Sequence, residues 1–217
     1  MTEEPVSALV AEKLAVLFQW QKTRDFSRHV AKLDEEIEVD LLIGGRWKPL
    51  REALILRDLA TTLGYQECRL EYGEFPDGVL RSAGDELQVE ITEVLTPGRK
   101  RDEEYRRLKE SASPTSLSHH DSREVREAGE RWVDWIVAAV KKKLKYSNRL
   151  KFDIVVYNNI DHLFELPEMT ELSQQIGSLL AEVGYRDHWV WQVRSTTVDL
   201  LWPRVLRLKI PDWEERF

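Results

Sequence analysis

Apolar residues recur at helical spacing through SALVAEKLAVLFQWQKTRDFSRHVAKL, where Leu9, Val10, Leu14, Leu17 and Phe18 are followed by Phe26, Val30 and Leu33. This pattern predicts one bent helix or two short ones. IEVDLLI (37–43) alternates briefly before Gly44-Gly45 and reads as a short strand or loop. Pro49 then opens LREALILRDLATTLGY, a helix with Gly64 as its stop. Three strand-like pieces follow: CRLEY (68–72), DGVLR (77–81) and, after the Gly84-Asp85 turn, ELQVEITEVL (86–95). A long helix is predicted from Ser122 through Tyr146, with Val125, Trp132, Val133, Ile136, Val137, Val140 and Leu144 on one stripe. KFDIVVYNN (151–159) has the continuous apolar centre of a strand buried on both faces. Pro167 to Tyr185 reads as a helix, HWVWQVRSTTVDLLWP (188–203) as one long strand or a hairpin, and the tail to Phe217 as a mixed surface segment.

The order helix, three strands, helix, strand predicts an α/β fold with a mixed sheet, in which the first three strands form a meander and the fourth returns after a crossover helix. Residues 1–49 form an N-terminal helical extension, 50–160 the core, and 161–217 a helix and strands packed on it, a single domain overall.

Composition narrows the class. With 42% hydrophobic and 33% charged residues, the 217-residue chain has the balance of a globular protein. Its eight tryptophans supply a real core. No apolar run is long enough for a bilayer, and the acidic start MTEEPVSALV is unlike a secretory leader, so a cytoplasmic protein without a membrane partner is expected. Cys68 is the only cysteine, which rules out an internal disulfide and a multi-thiolate zinc site; it reads as a small core residue.

The net charge of −7 argues against nonspecific coating of nucleic acid. The charge is uneven, however: residues 99–151 hold 15 Lys/Arg against 9 Asp/Glu, and the remainder holds 17 against 30. A basic middle in an acidic chain suits a groove that tracks phosphates, but taken alone it is the ordinary pattern of solvated helix surfaces.

The stretch FPDGVLRSAGDELQVEIT (75–92) carries the candidate chemistry. Gln88, Glu90 and Thr92 share one strand face, and a hairpin could bring Glu90 toward Asp77. Two such carboxylates make a divalent-cation site; the same pattern also fits an edge hairpin with one wet side. Other candidates have ordinary accounts. His119-His120 beside Asp121 fits a loop before a helix cap, and Gly44-Gly45-Arg46 lacks the Lys-Ser/Thr of a phosphate loop. Trp132 and Trp135 fit core packing, while Trp189 and Trp191 on one strand face fit a covered sheet or a stacking platform for bases.

Pro76-Asp77, twelve intervening residues and Glu90-Ile91-Thr92, set on an αβββαβ order, resemble the PD-(D/E)xK nuclease superfamily over residues 50–160. The resemblance implies a restriction-endonuclease-like core and metal-dependent hydrolysis of phosphodiester bonds, with DNA as the nucleic-acid partner and a homodimer or larger complex left open. It implies Mg²⁺ or Mn²⁺ held by Asp77, Glu90 and the Ile91 carbonyl, with help from Glu52 on the first core helix. Hard oxygen donors and a cation that neutralises phosphate oxygens are what this chemistry requires. Thr92 stands where the family has its lysine, and a hydroxyl brings no positive charge. Thr92 itself would then position water, or a lysine from KKKLK on the next helix would replace the missing one: Lys141, Lys142, Lys143 or Lys145. Arg99, Lys100, Arg101, Lys142 and Lys143 are the expected contacts to the nucleic-acid backbone. The alternative is a catalytically inactive nuclease-like fold that binds nucleic acid or protein within a larger assembly.

Overall fold

The computed structural model describes residues 12–36, 48–73, 75–98, 122–144, 152–159, 170–182, 190–194, 197–200 and 206–209. The expected segments at 37–43, 99–118 and 188–189, together with His119, His120 and Lys145, lie outside the described residues. The chain divides into two compact units, Met1–Glu86 with Gly98–His119, and Leu87–Pro97 with His120–Phe217.

In the first unit, the N-terminal apolar stripe is broken. A helical turn at residues 12–15 tightens into a 3-10 turn, Val16–Phe18, and Gln19 then swings to extended backbone. Strand β1 (Gln21–Lys22) follows, and helix α1 (Thr23–Glu36) starts directly after it. The Thr23 hydroxyl donates to the Tyr65 carbonyl at 2.6 Å and its N–H to the Gln66 carbonyl at 2.8 Å, which ties the start of α1 to the segment before β2. Helix α2 (Lys48–Leu63) carries Leu50, Ala53, Leu56, Leu59 and Ala60, all buried. Gly64 ends it at φ 73°, a backbone angle that costs glycine nothing. From there Tyr65 N–H reaches the Ala60 carbonyl and Gly64 N–H the Thr61 carbonyl, a Schellman closure that satisfies the last carbonyls.

Strands β2 (Glu67–Leu70) and β3 (Gly78–Ser82) pair antiparallel, and β1 pairs with the other edge of β2. Helix α1 packs on α2, and both helices pack on β2. The core between them includes Leu17, Phe26, Val30, Leu56, Cys68 and Leu80, each fully buried. A β-carbon at Gly78 would lie 2.8 Å from Leu56 Cδ2 and 3.3 Å from the Arg69 carbonyl. Gly78→Ala should therefore destabilise the protein by about 1–3 kcal/mol, the range for overpacking a filled core. A denaturant midpoint equal to that of the wild type would show that Leu56 yields freely.

The second unit contains a five-stranded mixed sheet. Strands β4 (Asp85–Leu95), β5 (Asp153–Asn159) and β6 (Val190–Arg194) are parallel neighbours, and β7 (Thr197–Leu200) and β8 (Leu206–Lys209) continue the sheet antiparallel. Helix α3 (Ser122–Leu144) connects β4 to β5, and α4 (Thr170–Glu182) connects β5 to β6, as parallel pairing requires. Helix α3 packs on β5 and on α4, and its Trp132, Val133, Ile136, Val140 and Leu144 are buried. Ile154, Val155 and Val156 at the centre of β5 are fully buried, as the apolar run predicts. The α/β class with a mixed sheet is therefore observed. The segment 188–203 contains a hairpin rather than one long strand, and the tail contributes β8.

The wet-edge account of β4 is overturned. From Val89 to Leu95 the strand pairs in parallel with β5, and Val89, Glu90 and Ile91 are all buried. Among the described residues, no helix is long and apolar enough to cross a membrane.

Candidate functional site

Asp77 and Glu52 belong to the first unit, and Glu90, Ile91, Thr92 and the α3 lysines to the second. In the first unit, Asp77 immediately precedes β3, after the cis Phe75–Pro76 peptide. Its carbonyl accepts from Glu71 N–H at 3.1 Å, closing the β2–β3 connection, and the residue is only 6% exposed. Glu52 stands one helical turn beyond Lys48 on α2. The Lys48 ammonium lies 2.9 Å from Glu52 Oε1 and 3.6 Å from Asp77 Oδ1, so one cation bridges both carboxyl groups.

The electrostatics follow from that packing. Burial, reinforced by the Asp77 charge and a hydrogen bond to Asp77, pushes Glu52 up to about 7, while Lys48 pulls the other way. Burial works against the Lys48 charge, but its hydrogen bond to Glu52 and the fields of Glu52 and Asp77 outweigh this and raise its pKa. A carboxyl that titrates near neutrality beside a second carboxyl can hold or release a proton under ordinary conditions. Glu52 and Asp77 thus share one ammonium, that of Lys48.

Nearby aromatic and charged groups are already engaged. The guanidiniums of Arg69 and Arg81 lie 4.7 and 4.0 Å from the Trp20 ring centre, and they pair with Glu71 and Glu67 respectively. Tyr72 stacks on Phe18 with centroids 4.1 Å apart. Cys68 is fully buried, and burial pushes its thiol up to about 12, so it is an inert core residue.

In the second unit, Glu90 occupies the middle of β4, opposite Ile154, and is 1% exposed. Its Oε1 accepts from the Lys143 ammonium in a partly buried ion pair. The stripe on α3 explains the choice of lysine. Val140 and Leu144 face the core, so Lys143, three residues after Val140, is turned inward, whereas Lys141 and Lys142 are exposed. The geometry thus brings Lys143, rather than Lys141, to the acid of the third strand. Ile91 lies opposite Val155 and is buried; Thr92 lies opposite Val156 and is half-buried. Lys145, Arg99, Lys100 and Arg101 fall outside the described residues.

Sequence reasoning missed three groups. Lys48 looks like an ordinary helix-surface partner for Glu52, and only the fold adds Asp77. Asp153 and Asn158, both buried, flank the apolar centre of β5, and their only signal is a polar residue at each end of a buried strand.

Among the described residues, no group of three or more His, Cys, Asp and Glu side chains is gathered into a metal cage. Mg²⁺ does not demand one, since it binds through one or two carboxylates, waters and substrate phosphates. Buried carboxylates such as Asp77 and Glu90 are hard oxygen donors of that kind. Compared with known proteins, the chain matches no family model, no curated protein sequence and no solved structure.

Proposed function

We propose that the protein is a metal-dependent nuclease that cleaves phosphodiester bonds of DNA. The observation that carries this reading is the buried Glu90 of β4 paired with Lys143 of the following helix. A fully desolvated carboxylate in a parallel strand costs stability unless something offsets it, and apolar residues of similar volume would serve a purely structural strand as well. The pairing also supplies an ammonium that Thr92 cannot.

In this reading the carboxylates of Asp77 and Glu90 and the Ile91 carbonyl would be oxygen donors to Mg²⁺ or Mn²⁺. When bound, the ion supplies neutralisation of phosphate oxygens and a more acidic bound water. The chain's own residues do the rest. Lys143 places positive charge beside Glu90. Glu52, titrating near neutrality, takes up or releases a proton next to Asp77. The α3 cations Lys141 and Lys142 are exposed and suit contact with the nucleic-acid backbone.

Plasmid and single-stranded DNA incubated with Mg²⁺ or Mn²⁺ test the reading. Asp77→Ala, Glu90→Ala and Lys143→Met should each lower cleavage by about 100-fold or more, the scale of losing one charge-stabilising group. Equal cleavage by wild type and all three variants would trace the activity to a contaminant and sink the proposal. A second reading, an inactive nuclease-like module, is favoured by Thr92 in the lysine position and by lysines that already neutralise both acids. DNA retention without cleavage by any form would establish it.

A further inference from the structure

We propose that Lys48 is an internal competitor for the divalent cation at Asp77, its ammonium occupying the place that the metal takes. This inference rests on the reading of Asp77 as a metal ligand. Lys48 has an unusual division of exposure. Its side chain is 62% exposed, yet its ammonium meets two carboxyl groups whose side chains are only 14% and 4% exposed. Glu52 and Asp77 converge from different elements, α2 and the start of β3, so when both are ionised a positive charge between them offsets their mutual repulsion. A monovalent ammonium on a long solvated stem does so reversibly. A divalent ion bound to Asp77 does so more strongly, and the two cations repel each other at such separations. The metal therefore gains access by expelling Lys48, whose stem is free to swing into water. Lys48 is thus a positioning residue. It keeps the acids ordered without metal and sets how much metal is required.

Calorimetric titration of the full chain with Mn²⁺, at fixed pH and ionic strength, tests this. Lys48→Met and Lys48→Gln should bind Mn²⁺ about five-fold more tightly than the wild type, the effect of removing one charge at this distance in a largely solvated setting. Lys48→Arg, which keeps the charge, should stay near the wild-type Kd. Mn²⁺ should also raise the melting temperature of the Lys48→Met protein more than that of the wild type. Unchanged or weaker binding by Lys48→Met and Lys48→Gln would overturn the inference, even if Asp77→Asn abolishes binding and so upholds the metal site. Absence of Mn²⁺ binding in the wild type and in Lys48→Met would remove both ideas together. Tighter binding by the Lys48 variants without DNA cleavage would keep the inference and remove the nuclease reading.

Discussion

Replacing Lys143 by methionine should destabilise the protein by about 3–5 kcal/mol in urea unfolding, the range for breaking a buried ion pair from one side. The asymmetry of the pair explains the size. The Glu90 side chain is 1% exposed and Lys143 is 23% exposed, so the lysine brings its charge in from the edge while the carboxylate cannot leave. Methionine fills most of the lysine's volume, so packing is nearly preserved and the loss reports electrostatics. The double variant Glu90→Leu/Lys143→Met should recover more than half of that loss, because an apolar pair of similar volume avoids the desolvation cost. It should also be inactive on DNA. A Lys143→Met protein as stable as the wild type would mean that the ammonium adds nothing to Glu90.

The second large effect is a pH dependence located at Glu52. Its folded value of about 7 stands above the ordinary value of 4.5, chiefly through burial and then through the Asp77 charge. The folded chain therefore binds more protons than the unfolded chain between those two values. Stability supplied by the protonated carboxyl is complete below pH 4.5 and drains away as pH rises through 7. A shift of that size corresponds to about 3 kcal/mol, and the side chain is 14% exposed, so solvent screens little of it. Glu52→Gln, neutral at every pH, should flatten this part of the stability profile and gain on the wild type at pH 8. The same slope in both proteins from pH 4.5 to 7 would place the titration on another group.

Much of the scaffold was legible because local and tertiary preferences agree. Leu50, Ala53, Leu56, Leu59 and Ala60 follow the helical period, and Gly64 stops the helix as its backbone freedom suggests. The strand pieces CRLEY, DGVLR and ELQVEITEVL are all present, with ends moved by a residue or more. Legibility fails where long-range pairing overrides local pattern. Gln19 and Trp20 carry no breaker signal, yet the helix stops there because Gln21 and Lys22 pair with Cys68 and Glu67. LRLK in the tail alternates for only four residues, too short a run to stand out in a mixed segment, and it becomes β8 by pairing with β7. At the candidate site, the acids were visible as residue types, but not their partners. Four neighbouring lysines were equivalent on paper, and the phase of α3 singles out Lys143.

The parallel pairing of β4 with β5 also sets an order of events. Strands β2 and β3 close over residues 71–77, a short connection that forms early. Strands β4 and β5 can meet only after residues 96–152 have looped back, a slow and entropically costly closure. Before that closure Glu90 should be hydrated, and its dehydration should coincide with the docking of α3 bearing Lys143. Late assembly of the pair is the expected result, in which case Lys143→Met should speed unfolding far more than it slows refolding.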